Sequence, residues 1–102
     1  MKIDVLGAEY TLTVNRGSKE PRLKDCDGFC DETTKELLVE NYEDSKGEQN
    51  CKQNLLIQTN KVKRHEIIHA FLFESGLAEN SSWAQNEEMV DFFAIQFPKL
   101  LK

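Results

Sequence analysis

Hydrophobic and polar positions follow two different periods along the chain. In the first half, residues 2–6 and 9–14 are short apolar and β-branched segments on either side of a Gly-Ala turn, which predicts a hairpin. Gly28–Asp31 and Glu36–Glu40 flank a polar Thr-Thr-Lys segment and predict a second hairpin. We therefore expect a small N-terminal antiparallel sheet built from two hairpins.

The second half repeats its apolar residues at helical intervals. Residues 53–75 contain no Gly or Pro, and Gly76 follows at the position where a left-handed residue commonly ends a helix. This pattern predicts one helix of about 20 residues, which would contain both histidines of the chain.

A second helix is predicted to follow after a short turn. Ser81 or Ser82 can cap its N-terminus, since Gln85 lies three residues after Ser82 as in a capping box, and Pro98 is expected to end it near Phe97. The phenylalanines of both helices are predicted to lie in the core: Phe71, Phe73, Phe92, Phe93 and Phe97. The predicted fold is α+β, with the sheet first and two helices after it.

The length and charge of the chain exclude several classes of protein. At 102 residues it is expected to form one domain, residues 1–102, with a modest core that a bound metal ion would help to stabilise. A formal net charge of -5 leaves no basic field for binding nucleic acid or an anionic membrane. Acidic residues interrupt the first apolar segment and no run approaches membrane-spanning length, so a cytoplasmic protein is expected.

The cysteines agree with a reducing compartment. Cys26, Cys30 and Cys51 are an odd number, which indicates free thiols rather than a disulfide framework. Cys26 and Cys30 have a CxxxC spacing but no matching second pair, so we expect small, partly buried side chains, and a metal site at these two residues is the weaker alternative.

Both histidines lie in the segment RHEIIHAF. Residues four apart on a helix share a face, about 5 to 6 Å from each other, so His65 and His69 can direct two imidazole nitrogens at one ion. Two polar histidines on an ordinary helix surface are the alternative interpretation. A catalytic zinc ion takes three protein ligands and one water molecule, so the third ligand has to come from elsewhere.

The segment NEEMVD in the second predicted helix can supply that third ligand. Glu87 is the better candidate, because Asp91 shares its face and can accept a hydrogen bond from the free nitrogen of a liganding histidine. Glu88 shares its face with Phe92, which suggests packing, but it stays the alternative ligand. Asp91 could equally be an ordinary acidic residue in the early part of a helix.

Glu66 has a predicted role without being a ligand. It is rotated by about 100° around the helix from His65, and its longer side chain can reach a zinc-bound water and act as general base, while zinc lowers the pKa of that water toward roughly 7. The proton then passes to the leaving amine of a cleaved peptide bond. No histidine remains to stabilise the oxyanion, so zinc alone would do so, or one of Tyr10, Tyr42, Arg22 and Arg64.

These residues resemble the zincin metallopeptidases, and among them the glutamate-zincins, whose pattern is HExxH followed on a later helix by Asn-Glu-x-x-x-Asp. The resemblance implies that His65, His69 and Glu87 bind zinc, that Glu66 is the base, and that Asp91 orients a ligand. The short chain with its preceding sheet also looks like the compact ImmA/IrrE-type and SprT-like metallopeptidases, and like the small phage and prophage proteins of that kind.

The resemblance has two further implications. The ELLVE segment, Glu36–Glu40, would be the sheet-edge strand along which zincins lay an extended substrate. Relatives of the ImmA/IrrE group cleave or inactivate transcriptional repressors, which points to a phage or host regulatory protein as the substrate.

Two functional hypotheses follow from the sequence. The first is a zinc metallopeptidase that acts on a protein or peptide. The alternative is a non-catalytic, zinc-containing module of the same fold that binds a protein partner without cutting it. In both hypotheses the chain is expected to be a monomer, and an ordinary helix without metal is a third and weaker possibility.

Overall fold

A computed structural model describes residues 1–15, 20–23, 27–41 and 55–101 of the chain. Within these ranges four strands precede three α-helices: Lys2–Val5 (β1), Ala8–Asn15 (β2), Gly28–Asp31 (β3), Glu36–Glu40 (β4), Leu55–Glu74 (α1), Leu77–Asn80 (α2) and Glu87–Leu100 (α3). Short 3-10 helices cover Pro21–Leu23 and Ser82–Gln85. The predicted α+β class is therefore confirmed. No helix in the described ranges has the length and apolarity that crossing a membrane requires.

The four strands form one mixed sheet in the order β1-β2-β4-β3. Both predicted hairpins are present, since β1 pairs with β2 and β3 pairs with β4 in antiparallel fashion. The prediction of a wholly antiparallel sheet is wrong at the junction, where β2 and β4 pair in parallel, with Leu12 opposite Leu37. Each hairpin contributes its second strand to this junction, and these two strands run in the same direction.

β4 lies inside the sheet, which corrects its predicted place at the sheet edge. Its residues Leu37, Leu38 and Val39 are all buried, as expected for a strand that is covered on both faces. The open edge beside α1 is β3, which pairs with β4 alone in the described sheet. A substrate strand could therefore add at Gly28–Asp31 and not at Glu36–Glu40.

The C-terminal part of α1 is fixed on the sheet. Ala70 is fully buried against the sheet, where it joins a core cluster with Val5, Tyr10, Leu12 and Leu37. The last residue of α1 is held by β2 and by the β3–β4 turn, because the Tyr10 hydroxyl and the Lys35 ammonium each donate to Glu74 Oε2 at 2.6 Å. Gly76 then takes the left-handed φ of 87 that its predicted role requires.

α3 begins later than predicted. The Asn86 side chain accepts a hydrogen bond from the Met89 amide at 2.8 Å and caps the helix, which starts at Glu87. Ser82 instead starts a separate 3-10 turn, and Gln85 donates to a backbone carbonyl of α2 rather than closing a capping box. The predicted N-cap was wrong because Asn86, four residues further on, supplies the cap.

Small and aliphatic side chains join α1 to α3. The second core cluster consists of Ile68, Leu72, Ala84, Val90 and Ala94. The predicted aromatic core is wrong for Phe71, Phe92 and Phe97, which are exposed, whereas Phe73 and Phe93 are half-buried. Val90 and Ala94 are the residues of α3 in this cluster, so the face of α3 that meets α1 carries small and aliphatic side chains rather than the phenylalanine rings.

α3 continues past the proline that was predicted to end it. Pro98 has no backbone N–H and cannot bond to the Ala94 carbonyl four residues earlier. The Arg64 side chain on α1 supplies the donor, with Nε 2.6 Å from the Ala94 oxygen. α3 therefore extends to Leu100, and the Arg64 side chain connects the two helices.

Replacing Arg64 by Met should lower the free energy of unfolding by about 1–2 kcal/mol, because a partly buried carbonyl loses its donor. In a Pro98→Ala background the restored N–H of residue 98 can bond to the Ala94 carbonyl, so the same change should cost much less. Urea unfolding of the four proteins, in the presence of a chelator, measures both differences. Equal costs in the two backgrounds would contradict the assigned role of Arg64.

Candidate metal centre

Three side chains from α1 and α3 bring donor atoms together at one point. His65 Nε2 lies 3.1 Å from His69 Nε2, and Glu87 Oε2 lies 3.3 Å and 3.0 Å from these two nitrogens. Two neutral imidazole nitrogens that face each other at this distance need a proton or a cation between them. Among the His, Cys, Asp and Glu residues of the described ranges, these three form a candidate metal-binding group. Each offers one ligand atom, and these atoms all lie within 4.8 Å of one another.

The spacing of these donors fits a tetrahedral zinc ion. Zinc binds nitrogen and oxygen at about 2.0–2.2 Å, so two donors at a tetrahedral angle are roughly 3.3 Å apart. The observed separations of 3.0 to 3.3 Å are close to that value. Two imidazoles and one carboxylate are also a donor set of catalytic zinc sites, which keep a fourth position for water.

Asp91 is placed to orient the His65 ring. Its Oδ1 lies 3.1 Å from His65 Nδ1, so an Nδ1 proton of His65 would be donated to this carboxylate. The tautomer with the proton on Nδ1 directs the lone pair of Nε2 at the donor cluster, as ligation of a metal ion requires. Burial alone would raise the pKa of Asp91, but the hydrogen bond from His65 and the Lys61 ammonium hold it below its usual value.

The cap of α3 explains why Glu87 rather than Glu88 joins the donor cluster. Asn86 fixes the first helical residue at Glu87, whose Oε1 then lies 2.8 Å from His69 Nε2. Glu88 is about 100° further round the helix, is exposed, and does not line the cleft beside the histidines. Phe92, which shares this face with Glu88, is exposed as well. The packing that the sequence suggested for this face of α3 is therefore not present at Phe92.

Glu66 is buried beside the donor cluster. Only 5% of its surface is exposed, and no residue in the described ranges donates a hydrogen bond to its carboxyl group. Burial, together with the nearby Glu87 carboxylate, raises the pKa of Glu66 to about 8. β3 passes directly over the group, since a Cβ at Gly28 would lie 2.5 Å from Glu66 Oε2. A carboxyl group in this state is suited to exchanging protons with a molecule in the cleft.

The donor cluster and Glu66 line a cleft of about 770 Å³. β3 and α1 form one side of this cleft, and α2, the second 3-10 helix and α3 supply the other lining residues. A cleft of this size can hold several residues of an extended peptide or a small ligand.

Tyr10, Arg22 and Arg64, the predicted oxyanion stabilisers that the structure describes, do not line the cleft. Tyr10 is buried in the core, with burial as the main reason that its pKa is raised, and Arg22 pairs with Glu20. Arg64 is bonded to a backbone carbonyl of α3. Tyr42 lies outside the described residues. Of the predicted stabilisers, the structure therefore places Tyr10, Arg22 and Arg64 away from the candidate metal centre.

Two residues at the site, Lys61 and Gly28, were not among the predicted site residues. Lys61 precedes His65 by four positions, so helical spacing alone predicts that the two share a face, and its Nζ lies 3.4 Å from Asp91 Oδ1. Gly28 carried no comparable signal, because its closeness to Glu66 depends on how α1 packs against β3.

Cys30 lies on β3 and lines the same cleft without joining the donor cluster. Burial, followed by the nearby Glu66 carboxyl group, raises the pKa of its thiol to about 12, and a thiol that stays protonated is a poor zinc ligand. The expected free, partly buried thiol is therefore confirmed for Cys30. Cys26 and Cys51 lie outside the described residues.

Comparison of the chain with protein-family models, with curated proteins and with solved structures gave no match. The resemblance to zincins consequently rests on the motif residues and on their arrangement. The function has to be inferred from the chemistry of these side chains.

Replacing Gly28 by Ala should destabilise the protein by about 1–3 kcal/mol, because the added methyl group meets Glu66 Oε2 at 2.5 Å and Val62 Cγ1 at 2.8 Å. In a Glu66→Ala background the first of these two clashes disappears, so Gly28→Ala should then cost clearly less. Urea unfolding of the four proteins measures the coupling. Full additivity of the two changes would mean that Gly28 and Glu66 do not touch.

Proposed function

We propose that this chain is a zinc-dependent metallopeptidase that hydrolyses a peptide bond in a protein or peptide. The observation that carries the proposal is the convergence of His65, His69 and Glu87 at a spacing suited to zinc, beside the buried carboxyl group of Glu66. Burying a carboxyl group without a hydrogen-bond donor costs free energy, which an ordinary helix with two surface histidines would not require.

The three ligands and Asp91 have separate tasks in this proposal. His65, His69 and Glu87 hold the ion, and Asp91 orients the His65 ring through the Nδ1 proton. When bound, zinc supplies Lewis-acid chemistry, since it lowers the pKa of water toward about 7 and polarises a carbonyl group. Two imidazoles with a carboxylate suit zinc as a borderline ion, although affinity order alone would admit other divalent metals.

Glu66 is the proposed general base. Its carboxylate takes a proton from the attacking water as the new C–O bond forms, and passes it to the amine nitrogen as the peptide C–N bond breaks. The backbone of β3 runs close to this carboxyl group, and the absence of a Cβ at Gly28 leaves the space that the carboxyl group occupies.

β3 is the proposed binding strand for the substrate. It is an open sheet edge that also lines the cleft, so an extended peptide could add to it through backbone hydrogen bonds. A peptide in that position would pass close to Glu66, which lies under the first residue of β3.

The proposal also names a substrate, an oligomeric state and a cellular compartment. A phage or host regulatory protein is the proposed substrate, on the basis of the resemblance to ImmA/IrrE-type proteins alone. The chain is proposed to act as a monomer in the cytoplasm, and the free thiol of Cys30 agrees with a reducing compartment. The alternative, a zinc-containing module that binds without cutting, keeps the same ligands and differs in having no catalytic water.

Elemental mass spectrometry of the purified protein should find about one zinc ion per chain. Glu87→Ala should lose the metal, because two imidazoles do not hold zinc by themselves. Glu88→Ala is the matched control on the adjacent, exposed residue and should keep it. No zinc in the wild type after the metal is added back, or the same loss in both variants, would contradict the ligand set.

Glu66→Gln should retain zinc and lose hydrolysis by roughly 10²–10⁴-fold, since an amide cannot take up the proton. Release of fluorescent fragments from a labelled, denatured protein mixture measures the activity, and Glu88→Gln is the control for a change of one charge. Hydrolysis by Glu66→Gln at the wild-type rate would rule out Glu66 as the base. Zinc-loaded wild type that cuts nothing would favour the binding module.

A further inference from the structure

We propose that the cleft selects basic polypeptide segments, and that Asp27, Glu32 and Glu79 set this preference. This inference rests on the proposed function, because it names the class of polypeptide that the same cleft would take. It is carried by the charges that line the cleft and by their position relative to β3.

The lining of the cleft is strongly acidic. Besides Glu66, Glu87 and Asp91, which belong to the donor cluster and its surroundings, three further carboxylate residues of the described chain line it. Lys61 is the one Lys or Arg among the described residues of the lining, and its Nζ is already 3.4 Å from Asp91 Oδ1. A zinc ion in the donor cluster would itself attract an anion, but away from that cluster the described lining offers carboxylates to a cation and no Lys or Arg to an anion.

The three further carboxylates are available to a ligand. Within the described ranges, Asp27, Glu32 and Glu79 form no ion pair or side-chain hydrogen bond with another residue. Carboxylates elsewhere in the fold behave differently, since those around Arg22 and Lys35 are paired with these cations. Each of these carboxylates can therefore pair with a cationic group of a ligand without first breaking an ion pair inside the described chain.

Two of these carboxylates lie at the two ends of the proposed binding strand, and the third lies on α2. Asp27 immediately precedes β3, and Glu32 immediately follows it, in the turn that Lys35 ties to Glu74 at the end of α1. Glu79 lies on α2, which begins just beyond that end of α1. At about 3.3 Å per residue, Asp27 and Glu32 are roughly 17 Å apart, which matches an extended segment of about five or six residues.

Glu66 gives an independent indication that the cleft takes a ligand. Its carboxyl group is more than nine-tenths buried, lines the cleft and has no donor in the described ranges. A bound molecule that supplies a donor would offset the cost of burying it. A peptide along β3 meets this requirement, and long Lys or Arg side chains of that peptide would reach the carboxylates at the strand ends.

Binding of short blocked peptides to the zinc-loaded Glu66→Gln protein tests the preference. Three peptides of about ten residues share one sequence of Ala, Thr and Gly and differ at the same two positions. Both positions carry Lys in the first peptide, Gln in the second and Glu in the third. We expect the Lys peptide to bind about three- to tenfold more tightly than the Gln peptide, and the Glu peptide to bind most weakly. The advantage of Lys should shrink as the salt concentration rises.

Two double variants in the Glu66→Gln background separate the cleft from the overall charge. Glu32→Gln with Glu79→Gln should remove most of the preference for Lys. The control variant, Glu9→Gln with Glu88→Gln, changes the net charge by the same amount at residues outside the cleft lining. This control should keep the preference for Lys. The zinc content of each protein shows whether the ligand set is intact.

The inference and the proposed function fail in different ways. Equal affinity for Lys and Gln peptides, no binding of any peptide, or the same loss in both double variants would overturn the basic preference. Cleavage by the wild type without enrichment of Lys or Arg near the cut bond would overturn it too, and would leave the peptidase intact. Selective binding of Lys peptides by a zinc-loaded wild type that never cleaves them would support the preference and count against the peptidase.

Discussion

The close packing of α1 against α3 is the constraint on which the rest of the structure depends. The two helices meet through aliphatic side chains and alanines, and the bond from Arg64 to the Ala94 carbonyl lets α3 run through Pro98 without an unpaired carbonyl at this point. A shift of α3 by one residue would rotate Glu87 by about 100°, and its carboxylate would no longer meet the two histidines. The Asn86 cap sets this register at the start of α3.

The same packing produces the cleft. α1 is the middle layer of the fold, with Ala70 against the sheet and Ile68 against α3, and His65 and Glu66 lie between these two contacts and line the gap that remains. β3 borders this gap, so an open strand edge and the donor cluster share one space. An ion held by ligands from α1 and α3 would link the two helices, which would make the stability of this small fold depend on metal concentration.

Local patterns predicted the hairpins, the long helix and the side chains that converge, because each depends on spacing within a few turns or strands. The strand order depends on pairing between distant segments, although the unbroken apolar run of Leu37, Leu38 and Val39 was a signal that could have identified a strand buried on both faces. The start of α3 was misplaced because Asn86 and Ser82 are both good caps, and residue type alone does not decide between them. The exposure of Phe92 depends on which face of α3 meets α1, which the hydrophobicity of a single residue does not reveal.

The central claim is that His65, His69 and Glu87 hold one zinc ion and leave a position for water. X-ray absorption at the zinc edge of the zinc-loaded protein tests this claim most directly. The predicted result is four nitrogen and oxygen donors at about 2.0 Å, with outer scattering from two imidazole rings. A sulfur donor at about 2.3 Å, or the signature of fewer than two imidazoles, would contradict it and point to the cysteines instead.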